Sequence, residues 1–393
     1  MSPCPTAALA ILALATTGCI GEQELLGRVE SDAAAPASPP DGFETSTIPV
    51  GCGPSLHVIA AEAQPTGGAT DLLVAGGDCL AVVPGIGGGW FGTAEIAVAA
   101  PAGNGIAAGL VTSGDGAVDV VGHAATTRLF LGDGNGGFQT GTAPLGTGVA
   151  GWAGWLALAD LDGNDTLDVI ASTGTGISAW RGDGTGMMSK SFGAKVAESF
   201  GLAAGDLNGD GVPDLAVAVD GLKLSLGTGA GTFTAAKQPV LPAGAGPVRG
   251  VAIGQLDSGK DACPDLITWP GIPNGVADDQ GNSIVLLGAC NGDAVVAGTL
   301  DLGAVSHAVL ADLDGDGVVD VIGAEPSRGV VVIARGRGDG SFEAPLQLDI
   351  GGRPETVAVA DLNQDGRLDI AAASSAVPEG EVRLLLQLLP VAP

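Results

Sequence analysis

Residues 312–320 read Asp312-Leu313-Asp314-Gly315-Asp316-Gly317-Val318-Val319-Asp320, with apolar runs on both sides, HAVLA ending at Ala311 and VIGA starting at Val321. Carboxylates at positions 1, 3, 5 and 9, with glycine at position 6 for a sharp turn, form the oxygen-rich pattern that a hard divalent cation requires. Calcium suits it better than magnesium, which sheds its waters reluctantly into an all-protein cage. Four carboxylates in one tight loop repel each other by about 4 kcal/mol per pair at about 4 Å and an effective dielectric near 20. Repulsion alone therefore predicts a loop that orders only around a cation. The flanking runs make it a connection between two strands, unlike a helix-loop-helix site, which also needs a bidentate Glu at position 12.

The unit recurs. Close copies supply Asp160, Asp162, Asn164 and Asp168; Asp206, Asn208, Asp210 and Asp214; and Asp361, Asn363, Asp365 and Asp369. By analogy with similar loops, position 7 adds a backbone carbonyl, at Thr166, Val212, Val318 and Arg367. About four calcium sites are expected; the bland alternative is four plain polar turns. Three degraded copies keep only the closing Asp before an apolar strand, at Asp71, Asp119 and Asp265. Used as a ruler, the closing Asp falls at 71, 119, 168, 214, 265, 320 and 369. The period of about 50 residues holds four short strands and their turns, the content of one propeller blade. The fold class predicted is all-β, a seven-bladed β-propeller of four-stranded antiparallel blades.

The chain has 393 residues, 68 of them Gly and none Tyr, and a formal net charge of −29. That charge argues against nucleic acid or an anionic membrane surface as a partner. Residues 1–18 contain a short apolar run followed by small residues and are expected to form an export signal. The run ends Thr16-Thr17-Gly18-Cys19, which resembles the lipobox of bacterial lipoproteins, so Cys19 is the expected lipidation site. Cleavage as a simple secretory signal is the alternative. Residues 19–40 are polar and rich in Pro and Ala, as a flexible tether would be. The propeller is assigned to 41–393, and the only membrane contact expected is through the lipid.

Export favours pairing of Cys52, Cys79, Cys263 and Cys290. With strands A to D running up and down in each blade, Cys52 lies in a D–A turn and Cys79 in a B–C turn, on one face. Cys263 lies in an A–B loop and Cys290 in a C–D turn, on the other face. The pairs expected are Cys52–Cys79 and Cys263–Cys290.

After strand C, each repeat runs into a Gly-rich turn ending in an aromatic, as in LGDGNGGF ending at Phe138, LGTGAGTF ending at Phe233 and RGDGSF ending at Phe342. The alternation of DxDxDGxxD with GxGxF at fixed spacing resembles the FG-GAP/VCBS repeat proteins, including the amino-terminal propellers of integrin α chains. The resemblance implies that loops on the face opposite the cation loops contact a partner. The seventh repeat stops after its strand C, and its missing outer strand has a counterpart at the other end of the chain. Residues 42–51, GFETSTIPVG, match residues 137–146, GFQTGTAPLG, at six of ten positions. The amino-terminal strand is therefore expected to complete blade seven, removing the open edge.

Catalytic patterns are sparse: three His residues, no metalloprotease motif, no nucleophile elbow and no Gly-rich loop opening a helix. Arg181-Gly182-Asp183 and Arg337-Gly338-Asp339 fall at C–D turns, where Asp serves the turn. His57 and His307 stand five residues before the first position of their loops, and Trp155 holds that place in blade three. With Trp152 and Arg249 they outline a funnel for a sugar or peptide, or simply fill the mouth of a narrow channel. The expected function is a calcium-stabilised, non-enzymatic binding or adhesion module of the bacterial cell envelope, acting as a monomer on a protein or glycan ligand. Alternatives are a glycan-binding lectin, and an accessory protein linked to polysaccharide processing. Trp90, Trp152, Trp155, Trp180 and Trp269 are the available stacking platforms, and they do not recur at one repeat position.

Overall fold

The computed structural model describes residues 42–388 except 55–56, 65–68, 101, 103–104, 113, 124–125, 142–144, 148–154, 174–175, 195–198, 220, 244–246, 258–262 and 271–281. The expected signal, Cys19, the tether and Trp152 lie outside the described residues.

Each closing Asp begins a strand B: Asp71–Ala75, Asp119–His123, Asp168–Thr173, Asp214–Val219, Asp265–Trp269, Asp320–Glu325 and Asp369–Ser374. Each of these strands pairs antiparallel with an inner strand A before it and a strand C after it, and an outer strand D completes the blade. Blade two carries one further short pairing, of 146–147 with its strand C. In sequence order the strands A are His57–Ala61, Gly105–Gly109, Leu156–Ala159, Gly201–Gly205, Gly250–Gly254, His307–Ala311 and Pro354–Ala360. Each touches the next, and the last touches the first, so the ring is closed.

Strands B are apolar on both sides because both sides are covered. Leu72 and Val74 pack toward blade seven, while Leu73 and Ala75 pack toward blade two. The same alternation at Ile370 and Ala372, against Ala371 and Ala373, serves blades six and one. One apolar cluster fills each seam of the ring. The stabilisation of a blade thus comes from its neighbours, and an open array would expose two such faces.

Blade seven closes on the amino-terminal strand Phe43–Pro49, which pairs antiparallel with Glu381–Gln387 from Phe43 opposite Gln387 to Pro49 opposite Glu381. Phe43, Ile48 and Val50 are buried in the two seams that flank this blade. Cys52 is joined to Cys79 and Cys263 to Cys290. The first bond ties the end of the closing segment to the B–C turn of blade one.

Candidate cation loops and the central aromatic cluster

The seven closing Asp carboxylates are buried, at most 2% exposed. Each takes the same partners. One oxygen accepts the N–H that opens the A–B loop, and the other accepts an N–H at the end of strand C, or just beyond it. In blade three these are Leu161 and Gly182, both at 2.8 Å; in blade six Leu313 at 3.0 Å and Gly336 at 2.9 Å. Blades four and seven repeat it with Leu207 and Gly227, and with Leu362 and Gln387. Blades one, two and five, which lack the rest of the motif, keep the arrangement through Ala63 and Gly85, Thr112 and Gly132, and Leu256 and Gly288. The closing Asp is therefore a staple between loop and strand C in every blade, whatever its part in holding an ion. The motif by itself points only to the latter.

Burial pushes the carboxyls of Asp71, Asp168, Asp214, Asp265 and Asp320 above their ordinary value and that of Asp369 up to about 6, against the opposing pull of the N–H donors.

In the four full loops, positions 4 and 6 adopt positive φ: Gly163 and Asp165, Gly209 and Gly211, Gly315 and Gly317, Gln364 and Gly366. This folds the N–H groups of the loop onto the first Asp. Asp160 accepts from Gly163, Asn164 and Asp165, and Asp206 accepts from Gly209, Asp210 and Gly211. Asp312 and Asp361 do the same at position 6, from Gly317 and Gly366. The N–H of position 7 (Thr166, Val212, Val318, Arg367) donates to the side chain of position 5 (Asn164, Asp210, Asp316, Asp365). These donors offset the carboxylate repulsion that sequence alone presented as unrelieved. Asp165 fills a position expected to be glycine because Asp tolerates the left-handed region better than most residues.

Two clusters bring carboxylate oxygens within 4.8 Å of one another, Asp160 with Asp162 and Asp168, and Asp312 with Asp314 and Asp320. These could hold a metal ion. The donor set is all oxygen, and Oδ1 of Asp162 is buried with no hydrogen-bond partner, an oxygen that a hard cation would coordinate. Among the described residues the loops at 206–214 and 361–369, with Asn at position 3, do not form such a carboxylate cluster.

At the ring's centre, His57 meets His307 edge-on with ring centroids 5.3 Å apart, and Trp155 stacks on His307 at 5.1 Å and 14°. Trp269, at the end of strand B in blade five, meets Trp155 edge-on at 6.0 Å. Blades one, three, five and six thus touch across the axis. Gly250 permits this, since a Cβ there would come within 1.9 Å of the Trp269 ring. Trp269 was not among the funnel residues expected from sequence, because it ends a strand B instead of opening a strand A. Arg249 lies over Phe200 of blade four, 3.8 Å from the ring centroid. Both His side chains are buried.

His307 Nδ1 accepts the Val357 N–H at 3.3 Å, which places the proton of the neutral ring on Nε2. Burial, and secondarily His57, hold its pKa well below the usual histidine value. A histidine depressed in the folded state contributes stability that is present above its unfolded pKa and lost as pH falls below about 6.5. The raised carboxyls act oppositely: their contribution is present at low pH and fades as pH rises through their folded values. His307→Asn is accordingly expected to flatten the loss of stability between pH 7.5 and 5.5 relative to wild type, by at most about 1.4 kcal/mol per pH unit. Parallel pH–melting curves for the two proteins would refute a neutral, locked His307.

The FG-GAP-like repeat family matches residues 206–268 and 312–372, which are most of blade four with the start of blade five, and most of blade six with the start of blade seven. No curated protein matches the chain. Among solved structures, it is similar to an Agrocybe aegerita lectin described as recognising non-reducing terminal N-acetylglucosamine. The TM-score is 0.54 and the identity 17%, over 89% of this chain and 96% of the lectin. It is also similar to the V. cholerae biofilm matrix protein Bap1, with a TM-score of 0.47 and 13% identity over 89% of each chain. With seven blades and a closed ring, the chain is a seven-bladed β-propeller that carries FG-GAP-like repeats over residues 206–268 and 312–372.

Proposed function

We propose that the protein is a calcium-stabilised, non-enzymatic binding module of the cell envelope, exported and held by a lipid on Cys19, whose ring presents its surface loops to a glycan or protein ligand. The observation that carries this reading is the fourfold repetition, on one face, of an acidic loop whose backbone is already turned toward its first carboxylate. Asp160, Asp162 and Asp168, and Asp312, Asp314 and Asp320, would hold calcium through their carboxylates, with the loops at 206–214 and 361–369 as further sites. Bound calcium would neutralise each loop and fasten strand A to strand B. The His and Trp cluster at the axis spends its aromatic faces on packing, which leaves the loops as the surface for recognition.

Glycan is the ligand class to test first, because the similar lectin of the same fold is described as a sugar binder. Two measurements test the proposal. Melting in EGTA is expected to fall well below melting in calcium, since each site adds about 2.7 kcal/mol at a hundredfold excess of calcium over its Kd. A glycan array or an envelope pull-down, with and without chelator, is expected to capture a ligand only from the loaded ring. Identical melting in EGTA and calcium would overturn the calcium part, and turnover of a captured glycan would overturn the non-enzymatic part.

A further inference from the structure

The four full loops fall into two pairs by a feature outside the loops themselves. In blades three and six, position 3 is Asp, and an arginine near the end of strand C reaches it: Arg181 to Asp162 at 3.4 Å, and Arg335 to Asp314. In blades four and seven, position 3 is Asn208 or Asn363. The residue at the place of the arginine is located by the closing Asp, whose second oxygen bonds the N–H of the very next residue. That next residue is Gly182, Gly336, Gly227 or Gln387. The places preceding them are Arg181, Arg335, Leu226 and Leu386. An Asp at position 3 thus comes with Arg, and an Asn with Leu.

The side chain at this place also has a packing role. The stem of Arg181 lies under Gly231 in the turn of blade four, as Leu226 lies under Gly292 of blade five and Leu386 under Gly89 of blade one. Leucine is sufficient for that contact, so the guanidinium is an addition directed at Asp162. Blade five, without the full motif, meets the same need differently: Gln255 at position 1 donates its amide to Asp257 at 3.0 Å.

We propose that Arg181 and Arg335 are built-in counter-ions that divide the cation loops into two classes. In the loops at 206–214 and 361–369 position 3 instead donates its side-chain amide to the carboxylate of position 5, from Asn208 to Asp210 at 3.0 Å and from Asn363 to Asp365 at 3.1 Å, and among the described residues no side-chain cation competes with a bound ion there. The loops at 160–168 and 312–320 keep their shape on arginine and bind an ion more weakly than they would without it, because the ion must compete with a fixed positive charge for the carboxylate at position 3. The calcium half of this inference rests on the function proposed above; the structural half does not. Exchanging this fixed positive charge for leucine is expected to raise calcium affinity by about tenfold.

The test is Arg335→Leu, with Arg335→Lys as the charge-keeping control, studied by calorimetric calcium titration and by melting in EGTA and in calcium. Arg335→Leu is expected to tighten one site by about tenfold in Kd. It should also lower the melting temperature in EGTA and enlarge the gain on adding calcium; Arg335→Lys should resemble wild type. Leu226→Arg alone, which adds a cation beside the loop at 206–214 without a new carboxylate, should weaken that site. Unchanged affinity and unchanged EGTA melting in Arg335→Leu would overturn the proposal. Should neither wild type nor variant bind calcium, the calcium reading alone fails. EGTA melting then decides the counter-ion role: a drop restored by lysine supports it, and its absence refutes it.

Discussion

Asp265→Ala is expected to cost about 3–6 kcal/mol in a urea unfolding experiment, although blade five lacks the full cation motif. The substitution strands the N–H groups of Leu256, Asp257 and Gly288, which Asp265 accepts at 2.7, 3.1 and 2.9 Å. An unsatisfied buried donor costs about 1–3 kcal/mol, and water entering the space left by the side chain would recover part of it. Asp265→Asn should fall between, since it keeps one acceptor oxygen and turns an N–H donor against another donor. Asp293→Ala, which removes only an exposed pairing with Lys237, is the control and should shift stability by no more than about 0.5 kcal/mol. If Asp265→Ala and Asp293→Ala unfold together, the closing Asp is not the staple of the blade.

The second large effect concerns closure. Deleting residues 42–50 removes the outer strand of blade seven and bares the length of Glu381–Gln387 as an unpaired edge. The buried side chains of Phe43, Ile48 and Val50 each account for about 1.5–3 kcal/mol of apolar burial, before the lost strand pairing is counted. The truncated ring should melt far below the intact one and associate through the exposed edge. Light scattering and calorimetry on the two proteins would show it; a monomer with unchanged melting temperature would contradict the clasp.

The fold was legible because one residue does one job seven times. The closing Asp marks the start of strand B even where the rest of its loop has eroded, as at Asp71, Asp119 and Asp265, because its task of accepting N–H groups survives loss of the other ligands. The closing strand was legible for a related reason: Phe43 and Phe138 open outer strands with the same sequence pattern. The site was less so. Arg335 lies 21 residues from Asp314, just past the end of strand C while Asp314 is in the A–B loop, so no local motif connects them. Trp269 reaches the axis only because Gly250 leaves room for its ring, a relation between two strands that neither sequence window contains. The N–H groups that relieve the carboxylates are a property of backbone turns, and residue types alone do not display them.

Phe43 faces Gln387, so both ends of the described chain leave the ring beside each other. Tension entering at the amino-terminal end would peel the closing strand one bond at a time, toward Pro49. It would then reach Cys52, where the covalent link to Cys79 carries the load directly into blade one and shields the intervening residues from being drawn out. A ring pulled open at blade seven would stay on its leash, with blade one intact and ready to reseat the strand once the pull relaxed.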